Sequence, residues 1–246
     1  MYRFYVNDDN ITDDSITIEG RDVNHIRNVL RMNPGDRVIA NDCEGTDYYC
    51  VIEEVYQDEV KLKIESSKKS LAELKTKLYL FQALPKQDKM EFIIQKAVEL
   101  GVHEIVPIVT KRCIVKLEDL KKQEKKTARW NAISEAAAKQ SARGIIPEVK
   151  KPMKLSDALE YASKLEYNIF PFEHAEGMDY SRKIMDEAAC FKSVGIFIGP
   201  EGGFEDEEVE MAKEAGLTVV SLGNRILRTE TAGMTVLSIL MFKISD

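Results

Sequence analysis

The sequence predicts an α/β fold in two parts, a small N-terminal β-barrel and a larger C-terminal domain built on a mostly parallel sheet. Three observations predict it. Residues 1–70 read as several short strands separated by turns. The stretch Ser66-Ser67-Lys68-Lys69-Ser70 is polar and free of large apolar groups, which marks a linker. From Leu78 onward, short apolar runs alternate with segments of helical apolar spacing, the pattern of strands covered by helices on both faces. The 246 residues accommodate two such domains, expected at 1–70 and 71–246.

In the first part, residues 3–6 and 15–18 are short strands. Residues 22–32 carry Val23, Ile26, Val29, Leu30 and Met32 near helical spacing and predict a helix. Asn33-Pro34-Gly35-Asp36 is a turn, and strands follow at 37–41, 48–55 and 60–65. In the second part, 78–84 is a strand. Residues 89–100 form an amphipathic helix with Met90, Ile93, Ile94, Ala97 and Val98 on one side. A strand at 104–109 leads to a long helix at 121–142, broken near Gly144 and Pro147. A helix at 155–165, a strand at 167–172 and a helix at 179–189 come next. Strands at 196–198 and 217–221 each end in a glycine-punctuated loop. A helix starts near Glu205, where four consecutive acids suit the positive end of its dipole. The last helix starts near Thr229, with Met234, Leu237, Leu240, Met241 and Ile244 on its apolar face.

The net charge of −7 is unevenly spread. Residues 73–150 carry 16 Lys+Arg against 10 Asp+Glu, whereas the segments on either side are acidic. That middle segment is the candidate footprint for phosphate, with a solvated helix face as the alternative for 121–129. Cys43, Cys50, Cys113 and Cys190 are scattered without CxxC spacing, so buried reduced thiols are expected and neither a disulfide framework nor a metal site. His25, His103 and His174 are equally dispersed. No apolar run approaches the roughly 20 residues that span a bilayer, and residues 1–8 lack the apolar core of a signal peptide. The chain is therefore expected in the cytoplasm, without a membrane partner.

The two loops within 195–233 carry the chemistry. The first reads Gly199-Pro200-Glu201-Gly202-Gly203, and the second runs from Ser221 through Gly223, Arg225 and Arg228 to Gly233. Glycine permits positive φ and close approach of another molecule to the backbone. Each loop leaves a strand end, where an open α/β sheet presents its ligand crevice. The chain has no GxxxxGK[ST], no GxGxxG after an early strand and no GxSxG. What remains is a pair of loops offering backbone amides and the apolar Ile198, Leu222, Ile226 and Leu227, which suits an adenine ring and leaves open which adenosine ligand is bound.

GPEGGF at 199–204 and SLGNRILRTETA at 221–232 resemble the signature of SPOUT-class RNA methyltransferases. Within that class they resemble the family of ribosomal small-subunit methyltransferase E, the 16S rRNA (uracil-1498-N3)-methyltransferases. The resemblance extends through 95–101, Gln140-Ser141-Ala142-Arg143 and 25–35, and so covers nearly the whole chain. It implies a C-terminal SPOUT domain threaded into a trefoil knot from about Asn168, and a PUA-like N-terminal domain that helps hold RNA through His25, Arg27 and Arg31. It implies S-adenosylmethionine, in a bent pose, among Phe172, Ile198, Gly199, Pro200, Glu201, Gly202, Gly203, Leu222, Gly223, Ile226, Leu227, Arg228, Thr231 and Ala232. It implies a homodimer, with the last helix either at the interface or buried in its own subunit. The substrate implied is 16S rRNA in the small ribosomal subunit. Another RNA target, or a non-catalytic assembly factor, are the competing readings.

Uracil N3 is a weak acid, so transfer to it calls for a cation or an amide that stabilises the developing negative charge. Arg228 and Arg143 are the catalytic candidates, and Arg112 and Gln140 the candidates for holding substrate. Lys111 and Cys113 flank Arg112, a departure from the family pattern. Glu201 and Glu230 are open between acting as a base and capping backbone amides.

Overall fold

The computed structural model describes residues 1–86, 89–113, 120–175 and 177–244, with the side chain of Leu120 excepted. The chain divides into two compact units, Met1–Glu73 with Ala138–Ile146, and Leu74–Ala137 with Pro147–Asp246.

In the first unit, β1 (Tyr2–Tyr5), β2 (Ser15–Glu19), β3 (Arg37–Asn41), β4 (Thr46–Val55) and β5 (Glu59–Lys69) form one sheet in the order β1-β3-β4-β5-β2. The β1–β3 pair is parallel and the other three are antiparallel. Alternating residues, among them Ile16, Ile18, Val38, Ala40, Ile52, Val60 and Leu62, turn into one core. Val23 and Ile26 join that core from α1 (Arg21–Asn24) and the π-helical turn His25–Val29 that continues it. The helix expected at 22–32 is thus shorter and wider, and it ends before Arg31, whose φ of 53° is left-handed.

The stretch read as a linker is not one. β5 runs on to Lys69, with Ser66 and Ser67 paired to Tyr49 and Tyr48 of β4. Both faces of this strand end are exposed, so it shows no apolar alternation although its backbone is in the ladder. The cysteines form no disulfide, but only Cys50 is buried; burial pushes its thiol up to about 11.

Arg143 belongs to this unit and is 3% exposed. Its Nε donates to Glu73 Oε1 at 2.8 Å and its Nη2 to Glu73 Oε2 at 2.7 Å. Glu73 Oε1 also accepts the Gly144 amide at 2.8 Å, and the Tyr5 hydroxyl donates to the Arg143 carbonyl at 2.6 Å. Burial alone would raise the Glu73 carboxyl. The Arg143 bonds and charge, with the Gly144 and Ile145 amides, outweigh it and hold the group below its ordinary value.

The second unit is a parallel sheet. Its strands are β6 (Lys77–Ala83), β7 (Val102–Val109), β8 (Glu148–Val149), β9 (Met153–Lys154), β10 (Tyr167–Pro171), β11 (Ser193–Ile198) and β12 (Thr218–Val220). The order is β12-β10-β11-β6-β7-β8, with β9 also on β7, and every pair is parallel. The connecting helices are α2 (Lys89–Glu99), α3 (Leu120–Gln140), α4 (Leu155–Ala162), α5 (Met178–Ala188), α6 (Asp206–Glu214) and α7 (Thr229–Ile244). Phe81, Phe170, Phe197 and Phe204 pack with Ala158 and Leu159 of α4 and Val209 and Ala212 of α6 on one face. The Phe81 and Phe197 rings stack at 4.3 Å. The other face of β6, Leu80 and Gln82, meets α7 at Gly233.

α7 buries Gly233, Val236, Leu237, Leu240 and Ile244 within its own chain. Met234 and Met241, expected on that face, are only partly covered, and Phe242 is 82% exposed. Among the described residues no helix is long and apolar enough to cross a membrane.

The Glu73–Arg143 pair carries a pH signature. Because folding lowers the Glu73 pKa, its stabilisation is complete above the ordinary value of 4.5 and is lost as pH falls from there through the native value. Urea unfolding against pH should show this acid limb flatten in Glu73→Gln. Arg143→Met, which leaves a buried carboxylate unpaired, should lower stability at neutral pH by about 3 kcal/mol.

Candidate active site

Both glycine loops open at the same edge of the parallel sheet, because parallel strands end on one side. The first loop leaves β11 after Ile198. Its turn closes with the Gly203 amide on the Pro200 carbonyl at 2.9 Å, and Gly203 has a φ of +67°. A side chain at Gly199 would meet the Phe204 ring at 3.1 Å, so glycine lets the buried Phe204 fold back under the loop. The second loop leaves β12 after Val220. Ser221 takes the Ser181 hydroxyl with its amide at 2.9 Å, and its own hydroxyl accepts the Gly223 amide at 3.2 Å. β10 lies between β11 and β12 in the sheet, so its exit, Pro171-Phe172-Glu173, falls between the loops.

Together these segments enclose a cavity of about 320 Å³. Phe172, Ile198, Leu222 and Leu227 give it apolar walls; Gly199, Gly203 and Gly223 expose backbone; Lys89, Arg225 and Arg228 bring positive charge. Arg225 and Arg228 are exposed.

The first loop is braced from three sides. Arg112 donates from Nε and Nη2 to the two Glu205 oxygens at 2.8 and 3.1 Å, and from Nη1 to the Gly202 carbonyl at 2.6 Å. The Arg112 bond holds Glu205 below the ordinary carboxylate range. Buried Glu208, in the first turn of α6, accepts the Glu205 amide at 2.9 Å and the Lys111 amide at 2.8 Å. Glu201 accepts the Lys86 amide at 3.1 Å and pairs with Lys89 Nζ at 3.1 Å. Burial would raise Glu201, but its own amide, Lys89 and the Lys86 amide together hold it low. The Glu230 carboxylate stands 3.5 Å from the same Lys89 ammonium.

The structure brings most of the expected cofactor residues together. Phe172, Ile198, Gly199, Pro200, Glu201, Gly203, Leu222, Gly223, Ile226, Leu227, Arg228 and Ala232 line the cavity. Gly202 and Thr231 do not: Gly202 backs onto the Arg112 side chain, and Thr231 faces out from α7. Arg112 serves as a brace of the first loop. Arg143 is held by Glu73 in the first unit, where exposed Gln140 also lies. His25 and Arg31 are exposed on the first unit, and Arg27 is half-buried with its guanidinium on the Gln57 carbonyl at 2.9 Å.

Sequence reasoning missed Lys89, Pro171, Glu173, Phe204, Arg225 and Thr229. All but Lys89 adjoin segments already singled out, and contiguity was the available signal. Lys89 heads an amphipathic helix more than a hundred residues away in the chain and carried none. Among the described residues no group of three or more His, Cys, Asp or Glu is arranged to hold a metal ion.

Comparison with known proteins agrees with this architecture. The chain matches the model of an RNA methyltransferase domain over residues 72–241 and that of an RNA methyltransferase PUA domain over residues 18–65. It is 35% identical over 232 residues to ribosomal RNA small subunit methyltransferase E of Bacillus subtilis, covering 93% of this chain and 90% of that protein. The protein of the same name from Mesomycoplasma hyopneumoniae is 35% identical over 239 residues, or 97% and 98% of the two chains. The crystal structure of ribosomal RNA small subunit methyltransferase E from Neisseria gonorrhoeae bound to S-adenosyl methionine has a TM-score of 0.81 to this chain. It is 29% identical, and the match covers 98% of this chain and 97% of that one.

The double acceptance by Glu208 sets the first loop against the end of β7. Glu208→Ala leaves two amides short of a partner, so urea unfolding should show a loss of about 2 kcal/mol. Lys111→Ala, which keeps its backbone amide on Glu208, should cost much less in the same measurement.

Proposed function

The chain belongs to the ribosomal RNA small subunit methyltransferase E family of RNA methyltransferases, and on that premise we propose that it transfers a methyl group from S-adenosylmethionine to N3 of one uridine, position 1498, of 16S rRNA in the small ribosomal subunit. The observation that carries this reading is the single cavity into which both glycine loops and the β10 exit open.

The residues present fit the cofactor. A cavity of about 320 Å³ is within the range of small-molecule sites. Ile198, Leu222 and Leu227 offer the apolar faces an adenine ring needs, and the loop peptides offer donors and acceptors beside them. Gly199 and Gly203 leave the backbone open to close approach. When bound, S-adenosylmethionine supplies an already activated methyl group, so the protein's task is alignment and control of one proton.

Arg228 is the residue of this chain best placed for that control. It lies at the cavity, exposed, and brings a guanidinium cation there. It would stabilise the negative charge that develops on the uracil edge as N3 gives up its proton. Arg225, beside it, would hold a phosphate of the target. Glu201 is a brace in this reading, because Lys86 and Lys89 favour its charged form and weaken it as a base. Arg112 and Arg143 likewise hold structure, through Glu205 and Glu73. His25 and Arg31 of the PUA domain would contact RNA. The reading includes the homodimer and the knotted threading that the family resemblance implies, and a cytoplasmic location.

Methyl transfer from labelled S-adenosylmethionine to small ribosomal subunits tests the proposal. Wild type should place the label on N3 of the one uridine. Arg228→Ala should lower the rate about 100-fold, with cofactor affinity by calorimetry changed only a few-fold. Label on transfer RNA or on a 2′-hydroxyl would overturn the target, and no cofactor binding at millimolar concentration would favour a non-catalytic assembly factor.

A further inference from the structure

Gln82 lies one residue from the end of β6, opposite Ile198 of β11, and is 0% exposed. A primary amide among Leu80, Ile198 and the face of α7 is unfavourable unless its polar atoms find partners. Its Nε2 donates to the Ala83 carbonyl at 2.9 Å and to the Thr229 hydroxyl at 2.8 Å. A carbonyl only accepts, so the nitrogen must face it and the amide's orientation is fixed. The Thr229 hydroxyl has one proton, and it donates that proton to the Gly199 carbonyl at 2.6 Å. The bonds therefore run one way, from Gln82 through Thr229 to Gly199.

The last of these bonds, from Thr229 to Gly199, joins the two halves of the cavity. Gly199 begins the first loop. Thr229 begins α7 and directly follows Arg228 of the second. The far oxygen of Gln82, Oε1, is buried with no hydrogen-bond partner among the described residues. A methionine would fill a similar volume without orphaning an oxygen, so what glutamine adds here is the bond from its nitrogen to Thr229.

We propose that Gln82 is a positioning residue, which through Thr229 fixes the spacing of loop 199–203 from loop 222–228 and with it the width of the cavity and the placement of Arg228. Its effect on the cofactor rests on the reading of the cavity given above, whereas its effect on the loops does not.

The test uses the full chain and three variants. Thr229→Val removes the hydroxyl at nearly constant volume, Gln82→Met removes the amide, and Thr229→Ser keeps the hydroxyl. Native-state hydrogen exchange should show amides of both loops exchanging about tenfold faster in the first two variants, with β3, β4 and β5 unmoved. Calorimetry should show S-adenosylmethionine bound about tenfold more weakly by both. Thr229→Ser should restore both measurements, and Gln82→Met combined with Thr229→Val should do no more than either alone. Loop exchange unchanged in Thr229→Val, exchange accelerated equally everywhere, or effects of the two substitutions that simply add would each overturn the proposal. If wild type binds no cofactor but the loops loosen together, the tie stands and the cofactor reading falls. If wild type binds and the variants bind as tightly with unmoved loops, the tie falls and the cofactor reading stands.

Discussion

The cavity depends on one constraint, the parallel register that ends β10, β11 and β12 at the same edge of the sheet. A parallel pair cannot be closed by a tight hairpin, so each strand must be followed by a crossover that returns the chain to the opposite edge. The loops at the open edge are thereby free of connecting two neighbouring strands and can be shaped for a ligand. Because β10 is inserted between β11 and β12, the two glycine loops face each other across the width of one strand, and Phe172 and Glu173 occupy that gap.

A loop of glycines is flexible by composition, and here it is held by charge and by hydrogen bonds to its own backbone. Arg112 grips the Gly202 carbonyl and Glu205, Glu208 ties the start of α6 to the end of β7, and Lys89 ties Glu201 to Glu230. Among the acids of the C-terminal segment, Glu201, Glu205, Glu208 and Glu230 are engaged in this bracing, and others solvate α6. The overall charge of −7 is therefore a poor guide to the local field, since the cations Arg225 and Arg228 stand at the cavity. Exposed Ile226, 86% accessible, gives the same rim an apolar tip.

Strand and helix positions in the second unit were legible because its strands, buried on both faces, read as short apolar runs and its helices repeat an apolar face. Leu78 and Leu80 face one way and Phe81 and Ala83 the other, and α2 repeats its apolar face every three to four residues. Two kinds of feature escaped. Solvated strand pairing, as at Ser66 and Ser67, leaves no trace in hydropathy, since the backbone alone makes the ladder. Arginines looked alike in the sequence, and only their partners separate them: Arg143 is closed around Glu73, Arg112 around the first loop, while Arg228 lies at the cavity.

By itself the sequence determined the two-part α/β architecture, the two glycine loops at strand ends and nearly all of the apolar wall between them. These follow from properties local to the chain, namely apolar spacing and the freedom of glycine. The tertiary structure alone decided that Lys89, from the start of α2, enters the same cavity, that β10 separates the loops, and which arginines are closed around acids elsewhere. Those facts depend on which distant residues meet, and partners tens of positions apart leave no mark on the spacing of either one.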